Sequence, residues 1–330
     1  MAETGRPGET GSYHTPVLLA ESLAFLDPKP GATVLDATLG GGGHSAAIAE
    51  RISPGGALFG LDRDLDAVET ARERLDAFPA VRTTLVHTDF GNMDAALAAL
   101  DGADTIRFDG ALFDLGVSSH QLDTARGFSF RRDEFLDMRM DATDELRPTA
   151  AKLLATAQEN EIARMLWEFG DEKWSRRIAQ CIVERRKKGE PMETTAQLAE
   201  LVEQSIPRAA WPRDIHVATR SFQALRIAVN DELGQLRAGL RFAADRLAPG
   251  GRLVVISYHS LEDRIVKQMF ATWAGRSPSA PGSSPAALLP DTKTAIATLL
   301  TRKPVTPADA ETARNPRARS AKLRALQRHI

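Results

Sequence analysis

The sequence predicts an α/β fold: a mainly parallel sheet with helices on both faces, split by an inserted helical domain. Three observations predict it. Over residues 32–119 short apolar runs alternate with helical patterns, a rhythm that implies right-handed crossovers between parallel strands. Over residues 120–225 the strand patterns give way to helical ones. From residue 226 the strand–helix alternation resumes.

The N-terminal MAETGRPGETGS (1–12) is polar and glycine-rich, lacks the apolar core of a signal peptide and reads as a disordered tail. The sheet domain is expected over 13–119 and 226–330. ATVLDA (32–37) is its first strand, followed by four consecutive glycines, Gly40 to Gly43, and the alanine-rich helix SAAIAERI. GALFGLD (56–62) is a second strand, and DLDAVETARERLDAF a helix whose start Asp64 is placed to cap. VRTTLVHTD and NMDAALAAL give the next strand and helix, and FDGALFDLGVSS (108–119) the fourth strand. The insertion, 120–225, carries ENEIARMLWEF, EKWSRRIAQCIVERRKKG and TTAQLAELVEQSI, the last with Thr194 and Gln197 at capping-box spacing. A helix near 230–247, a turn and strand in RLAPGGRLVVISYH, and a helix opening at Ser260, with Asp263 at capping distance, restore the alternation. GRSPSAPGSSPAALLPDT (275–292) is a Pro/Ser/Gly-rich loop expected to be mobile. AIATLLTRKPV and SAKLRALQ are expected to close the sheet as a final strand pair.

Composition narrows the functional classes. Forty-two basic residues stand against 44 acidic ones, for a net charge of −2, so the chain is no global polycation. A nucleic-acid partner must therefore be met by local patches. The single cysteine, Cys181, excludes an internal disulfide and a cysteine zinc cage. No apolar run approaches the ~20 residues of a membrane span. A soluble, cytoplasmic protein without a metal is expected.

The glycine run, in DATLGGGGHS (36–45), raises the question of what lies against it. A Walker loop needs a lysine and a hydroxyl residue after the last glycine; His44 and Ser45 stand there instead. The dinucleotide fingerprint counted from Gly40 meets Ser45 at its sixth position, so it matches in part, while Asp62 is placed for ribose hydroxyls. A nicotinamide enzyme stays open, as does a loop that merely turns the chain. S-adenosylmethionine fits better. It has a ribose and no phosphate, and its methionine end is cationic at the amine and the sulfonium. Asp36 and Asp114, at the ends of the first and fourth strands, would attract such a group and repel a pyrophosphate. Asp89 and Phe90, after the third strand, are placed to frame an adenine by hydrogen bond and apolar contact.

The segments HTPVLLAESL, DATLGGGGHS, GLDRD, DLGVSSHQLD, RGFSF, LDMRMD, ATRSFQALRIAVNDEL, GGRLVVISYHSLEDR and NPRARSAKLRAL follow one another in this order. From about residue 14 to 328 the chain resembles the bacterial small-subunit ribosomal RNA cytosine-N4 methyltransferases, the methyltransferase H family. The resemblance implies a class I S-adenosylmethionine-dependent methyltransferase fold, Rossmann-like, with the insertion as substrate-recognition domain. It implies N4-methylation of one cytidine in the decoding region of 16S rRNA, position 1402, within the small ribosomal subunit. Carried onto this sequence it implies cofactor contacts from Gly42, Gly43 and His44, from Asp62 at the ribose and Phe90 at the adenine, and from Asp114 and Gln121 at the methionine end. The chain departs from the family pattern at three places: Glu134 and Phe135 replace Gly-Pro, Val217 replaces proline, and Tyr258 replaces phenylalanine.

Methylating the N4 amine requires in-line alignment and a hydrogen-bond acceptor for the nitrogen as it becomes tetrahedral. The Asp114 carboxylate or the Leu115 carbonyl is the first candidate, with Asn230 and His259 as second ones. C5 methylation would need a nucleophilic cysteine, whereas Cys181 lies on the apolar face of an insertion helix, a core position. For RNA, RGFSFRR (126–132) interleaves arginines with Phe128 and Phe130. RRKKG (185–189) and the stretch 314–328, with six basic and no acidic residues, are candidate phosphate contacts. Arg220 and Arg226, six apart, fall on different helix faces. The alternatives are an amino-methyltransferase on another nucleic acid and a ribosome-assembly factor that has lost catalysis.

Overall fold

The chain builds one sheet of seven strands, ordered β3-β2-β1-β4-β5-β7-β6, in a computed structural model that describes residues 16–100, 102, 105–116, 125–276 and 295–330. The strands are β1 (Thr33–Asp36), β2 (Ala57–Asp62), β3 (Arg82–His87), β4 (Phe108–Asp114), β5 (Leu247–Ser257), β6 (Ala297–Leu299) and β7 (Lys322–Arg328). The first five run parallel, and β7 pairs antiparallel with both β5 and β6. The expected closing strand pair is thus present. The tail 1–12, Gln121 and most of the 275–292 loop lie outside the described residues.

Burial on both faces explains the apolar runs. Leu35, Phe113, Leu253 and Val255 point to a cluster with Leu236, Leu240 and Ile265. Their neighbours Val34, Leu112, Val254 and Ile256 point the other way, to Leu23, Ile48 and Ile52. This alternation with two apolar faces is what a helix-covered parallel sheet requires. α1 (Leu19–Leu26), α2 (Gly43–Ile52) and α3 (Leu65–Leu75) cover one face; α4 (Met93–Ala98), α10 (Glu232–Arg246) and α11 (Ser260–Trp273) cover the other. Strand order reverses between β1 and β4, which opens a crevice at their carboxyl ends.

The insertion leaves the sheet just past β4 and contains α5 (Ala150–Thr156), α6 (Glu159–Gly170), α7 (Ser175–Lys187), α8 (Thr195–Ser205) and α9 (Thr219–Asn230). Its own core runs from Phe128 to Val229, so α9 belongs wholly with the insertion and the sheet domain resumes near Asp231 rather than at 226. Thr194 and Gln197 form the expected capping box of α8. Cys181 packs half-buried against the insertion core. Glu134 and Phe135 lie on extended chain, bridging to Thr194 rather than turning.

Several basic residues expected to meet phosphate serve the fold instead. Arg324 pairs with Asp263 at 2.7 Å, and Arg328 donates to the carbonyls of Ala244 and Leu247 that end α10. Arg186 of the RRKKG run donates to the carbonyls of Leu154 and Ala157 at the end of α5. Helix ends leave carbonyls without intrahelical partners, and a guanidinium satisfies them. Asp64 also departs from expectation: it stands at the N-cap of α3, but its carboxylate binds Arg126 instead of the helix amides.

Candidate active site at the strand carboxyl ends

A cavity of about 540 Å³ occupies the crevice, walled by the sheet domain on one side and by the insertion on the other. The glycine loop forms its floor. Gly40 has φ +48° and donates its N–H to Asp62 Oδ2 at 2.8 Å. Asp62 Oδ1 accepts from Asp64 N at 2.9 Å, so this one carboxylate fixes both the loop and the turn after β2. Gly40, Gly41, Gly43 and His44 line the cavity. Gly42 does not: with φ +72° it turns toward α3, where a Cβ would lie 3.1 Å from Ala71 Cα. Its glycine is required by packing, not by a ligand.

Asp36 likewise acts behind the wall. It is fully buried, and its carboxylate accepts from Ser45 Oγ at 2.6 Å and Thr38 N at 3.1 Å. Burial raises its pKa to about 6, against the opposing bond from Ser45. Thr38 in turn accepts the Asp114 N–H at 2.6 Å. The two acidic strand ends are therefore tied through one threonine, and of the two only Asp114 reaches the cavity.

Asp114 is the electrostatic centre of the site. Its Oδ1 accepts from the Tyr258 hydroxyl at 2.8 Å, and its Oδ2 lies 3.6 Å from His44 Nδ1. Burial raises its pKa to about 7, opposed by the Tyr258 bond and assisted by the Glu262 charge. Burial lowers that of His44. Glu262, opening α11, accepts from the N–H groups of Tyr258 at 2.9 Å and His259 at 3.2 Å. Burial works against its carboxylate, but the His259 ring beside it, the Tyr258 N–H and the Arg226 charge outweigh burial and hold the group below its ordinary range. The cap of this helix thus begins at His259, one residue before the expected Ser260.

Phe90 reaches the cavity from the turn after β3 and packs edge-on against Phe113, centroids 5.4 Å apart. Asp89 is spent elsewhere. Its Oδ1 binds Arg63 at 2.7 Å and its Oδ2 binds Arg147 at 2.8 Å, so the expected adenine bond competes with two guanidiniums. His259 lines the cavity with Nε2 at 3.1 Å from Glu262 Oε1, off the line of a hydrogen bond. Asn230 is not brought to the site. Fully buried, it accepts from Met140 N at 2.9 Å and donates to the carbonyls of Met138 and Arg226. Those bonds use both amide hydrogens and hold Met138 at φ +63°, so Asn230, buried away from the cavity, clamps backbone.

On the insertion side, Phe128, Phe130, Met138, Met140 and Gln223 face the cavity. Phe130 stacks on His216 at 4.5 Å and meets Phe222 edge-on. Phe128 and Phe130 were legible as a candidate RNA contact; Met138 and Met140 lie in the LDMRMD segment, but their place at the cavity was not legible, because a strained backbone held from a distant helix has no local signature. Arg226 lines the cavity and forms a bidentate pair with Glu232, whereas Arg220 turns away to the Asp171 carbonyl. Among the described residues Glu232, His259 and Glu262 could together approach a metal ion. The guanidinium already bound to Glu232 supplies the positive charge there.

The donor set suits an adenosine with a cationic tail. Gly40 and Gly41 admit close backbone approach, Asp62 and Phe90 stand at and just past the carboxyl ends of β2 and β3, and Asp114 offers a carboxylate at the centre. Among the described residues no lysine lines the cavity.

The model of the MraW methylase family matches residues 11–329. A ribosomal RNA small subunit methyltransferase H of Geobacter sulfurreducens is 51% identical over 319 residues, covering 96% of this chain and 98% of that protein. The protein of the same name from Pelobacter propionicus is 49% identical over 321 residues, covering 96% and 99%. That from Symbiobacterium thermophilum is 49% identical over 318 residues, covering 95% and 96%.

Proposed function

The chain belongs to the MraW methylase family and is a methyltransferase, and from that premise we propose that it methylates N4 of a cytidine in small-subunit ribosomal RNA. The relatives, named for the small subunit's RNA, support the substrate class. The observation that carries the reading is the composition of this cavity: carboxylates and glycines on the sheet side, aromatics and thioethers on the insertion side. One wall suits a cationic methyl donor and the other a flat, unstacked base.

S-adenosylmethionine supplies an electrophilic methyl group bonded to a sulfonium. Gly40, Gly41 and Gly43 give its backbone-close seat, Asp62 takes the ribose hydroxyls, and Phe90 covers the adenine. Asp114 faces the cationic end. Phe128 and Phe130 border the entry of the base, and the Asp114 carboxylate or Leu115 carbonyl accepts a hydrogen bond from the target amine. His259, with Glu262 behind it, stands at the same mouth and is placed to take the proton that the amine sheds after methylation. Alignment of the two reactants contributes about 7–11 kcal/mol of the barrier reduction in such sites. Cys181, the one cysteine, is held in the insertion core, so a covalent route to C5 lacks its nucleophile.

No described helix is long and apolar enough to cross a membrane, and the working place of the reading is the cytoplasm, on the small subunit. The test is methyl transfer from labelled S-adenosylmethionine to small subunits lacking the modification, with naked RNA in parallel and the nucleoside identified by mass spectrometry. N4-methylcytidine on the particle is expected. Label in another nucleoside, or in DNA, would replace the acceptor; cofactor binding without transfer to any acceptor would favour an assembly factor.

A further inference from the structure

The Asp114 carboxylate is held from two sides by groups of different chemistry. Tyr258, immediately after β5, donates its hydroxyl to Oδ1 at 2.8 Å. His44, on α2, presents Nδ1 to Oδ2 at 3.6 Å. The other ring nitrogen of His44, Nε2, lies 3.2 Å from the Val17 carbonyl, which can only accept, so Nε2 carries the ring proton. In the neutral ring Nδ1 is then a bare acceptor. It cannot bond an ionised Oδ2, and a contact of 3.6 Å between two lone pairs is unfavourable unless a proton lies between them. Tyr258 is therefore the one side-chain donor to the ionised carboxylate among the described residues.

The phenol has little freedom to leave. Its ring packs on Gly116, whose φ is +109° and where a Cβ would lie 3.2 Å from Cδ2 of the ring. Its N–H is bound to Glu262 Oε2 at 2.9 Å. The hydroxyl is thus aimed at Asp114 by backbone on both sides.

Resting on the methyl-transfer reading, we propose that Tyr258 is a positioning residue, which keeps Asp114 ionised with Oδ2 turned into the cavity for the cationic end of the methyl donor. The neighbouring carboxylates bear on this role. Asp36 at the end of β1 and Glu262 on α11 are negative and press Asp114 toward protonation. Glu311, on the helix Asp309–Arg314, adds negative potential at Tyr258 and helps hold its proton in place. His44 gives no bond to the ionised form. The Tyr258 hydroxyl is the group that opposes burial and these charges, and removing it leaves the carboxyl protonated to a higher pH.

Tyr258→Phe is the test, because it deletes one oxygen and keeps the ring on Gly116. Isothermal titration with S-adenosylmethionine and with S-adenosylhomocysteine, from pH 6 to 9, reads the role without turnover. Charge-assisted hydrogen bonds of this kind correspond to roughly a tenfold effect or more. About tenfold weaker binding at pH 7 is expected, with the acid limb of the binding curve moved to higher pH and affinity regained near pH 9. A larger loss for the sulfonium than for the thioether would place Oδ2 at the sulfur; an equal loss would place it at the amine, and both support the role. Unchanged affinity and an unchanged pH profile would overturn it. Equal weakening at every pH would also overturn it, since that is the mark of a packing defect. Wild-type protein that binds neither ligand would instead remove the methyl-transfer reading on which the proposal stands.

Discussion

Asp89 and Arg147 lie 2.8 Å apart across the boundary between sheet and insertion, and the other oxygen of the same carboxylate holds Arg63. Both guanidiniums continue to the end of α9, Arg147 to the Val229 carbonyl and Arg63 to that of Asn230, at 3.3 Å. One acid therefore fixes the angle at which the insertion overhangs the cavity. Its position, directly before Phe90, ties that angle to the cofactor wall.

Replacing Asp89 by Ala leaves the mostly buried Arg63 without its anion and Arg147 with Asp144 alone, a change that costs about 3 kcal/mol in comparable settings. The expected outcome is a lowered unfolding midpoint and a raised KM for small subunits. Thermal unfolding and steady-state kinetics check it; an unaltered KM in the folded variant would show that the joint does not set RNA placement.

Asn230→Ala removes two donated bonds and one accepted bond from buried backbone. With Met138 left at φ +63° unsupported, a loss of about 2–4 kcal/mol is expected. Chemical denaturation measures it. Retention of full stability would mean that the 136–140 segment is held by its side chains alone.

In Gly43→Ala the new Cβ would stand 2.5 Å from Pro16 Cγ, and a proline ring has little room to yield. The glycine loop must shift by several tenths of an ångström. Cofactor affinity should fall at least tenfold while the rest of the sheet domain stays folded, as titration calorimetry and far-UV circular dichroism together would show.

The pH dependence of stability follows from Asp114, whose pKa is raised to about 7 by burial from an ordinary 3.8. A raised acid binds its proton more tightly in the folded than in the unfolded chain. Its contribution is full below pH 3.8 and is lost as pH rises through about 7. Ligand-free protein should therefore lose stability between those limits, and Asp114→Asn should lose less, being the more stable of the two at pH 8 yet inactive in methyl transfer. Parallel melting curves would refute this if both proteins declined alike.

The α/β alternation, the insertion and the closing strand pair were legible because each rests on local periodicity and on turn residues. The acid at each strand end was legible for the same reason: it follows an apolar run. What those acids do was not. Asp36, Asp62 and Asp114 look alike in sequence, but Asp36 is sealed behind Ser45, Asp62 lines the cavity while holding two backbone amides, and Asp114 lines it against Tyr258, and only long-range packing separates them. Asn230 stands in a conspicuous motif, but a buried clamp and a catalytic amide share one residue type, and only the fold places this one away from the cavity. Arg324 and Arg328 read as an RNA-binding tail because charge is visible in sequence while its partners, Asp263 and the end of α10, are far along the chain. The Tyr258 hydroxyl gave a signal only as a departure, and its meaning required the distance to Asp114.

The splice point has a further consequence. The chain leaves the sheet after Asp114 and returns through Asp231, a residue at φ +46° that starts α10. Among the described residues between these two points, Arg147 pairs with Asp89, Arg126 with Asp64 and Asp66, and Asp141 with His87 of the sheet domain. In the proposed reaction the strands would carry the donor chemistry, and the acceptor choice would belong to a cassette attached between these two points. Grafting a different cassette between the same two points, with the Asp89 joint rebuilt, would redirect the methyl group to a new target without altering how it is activated.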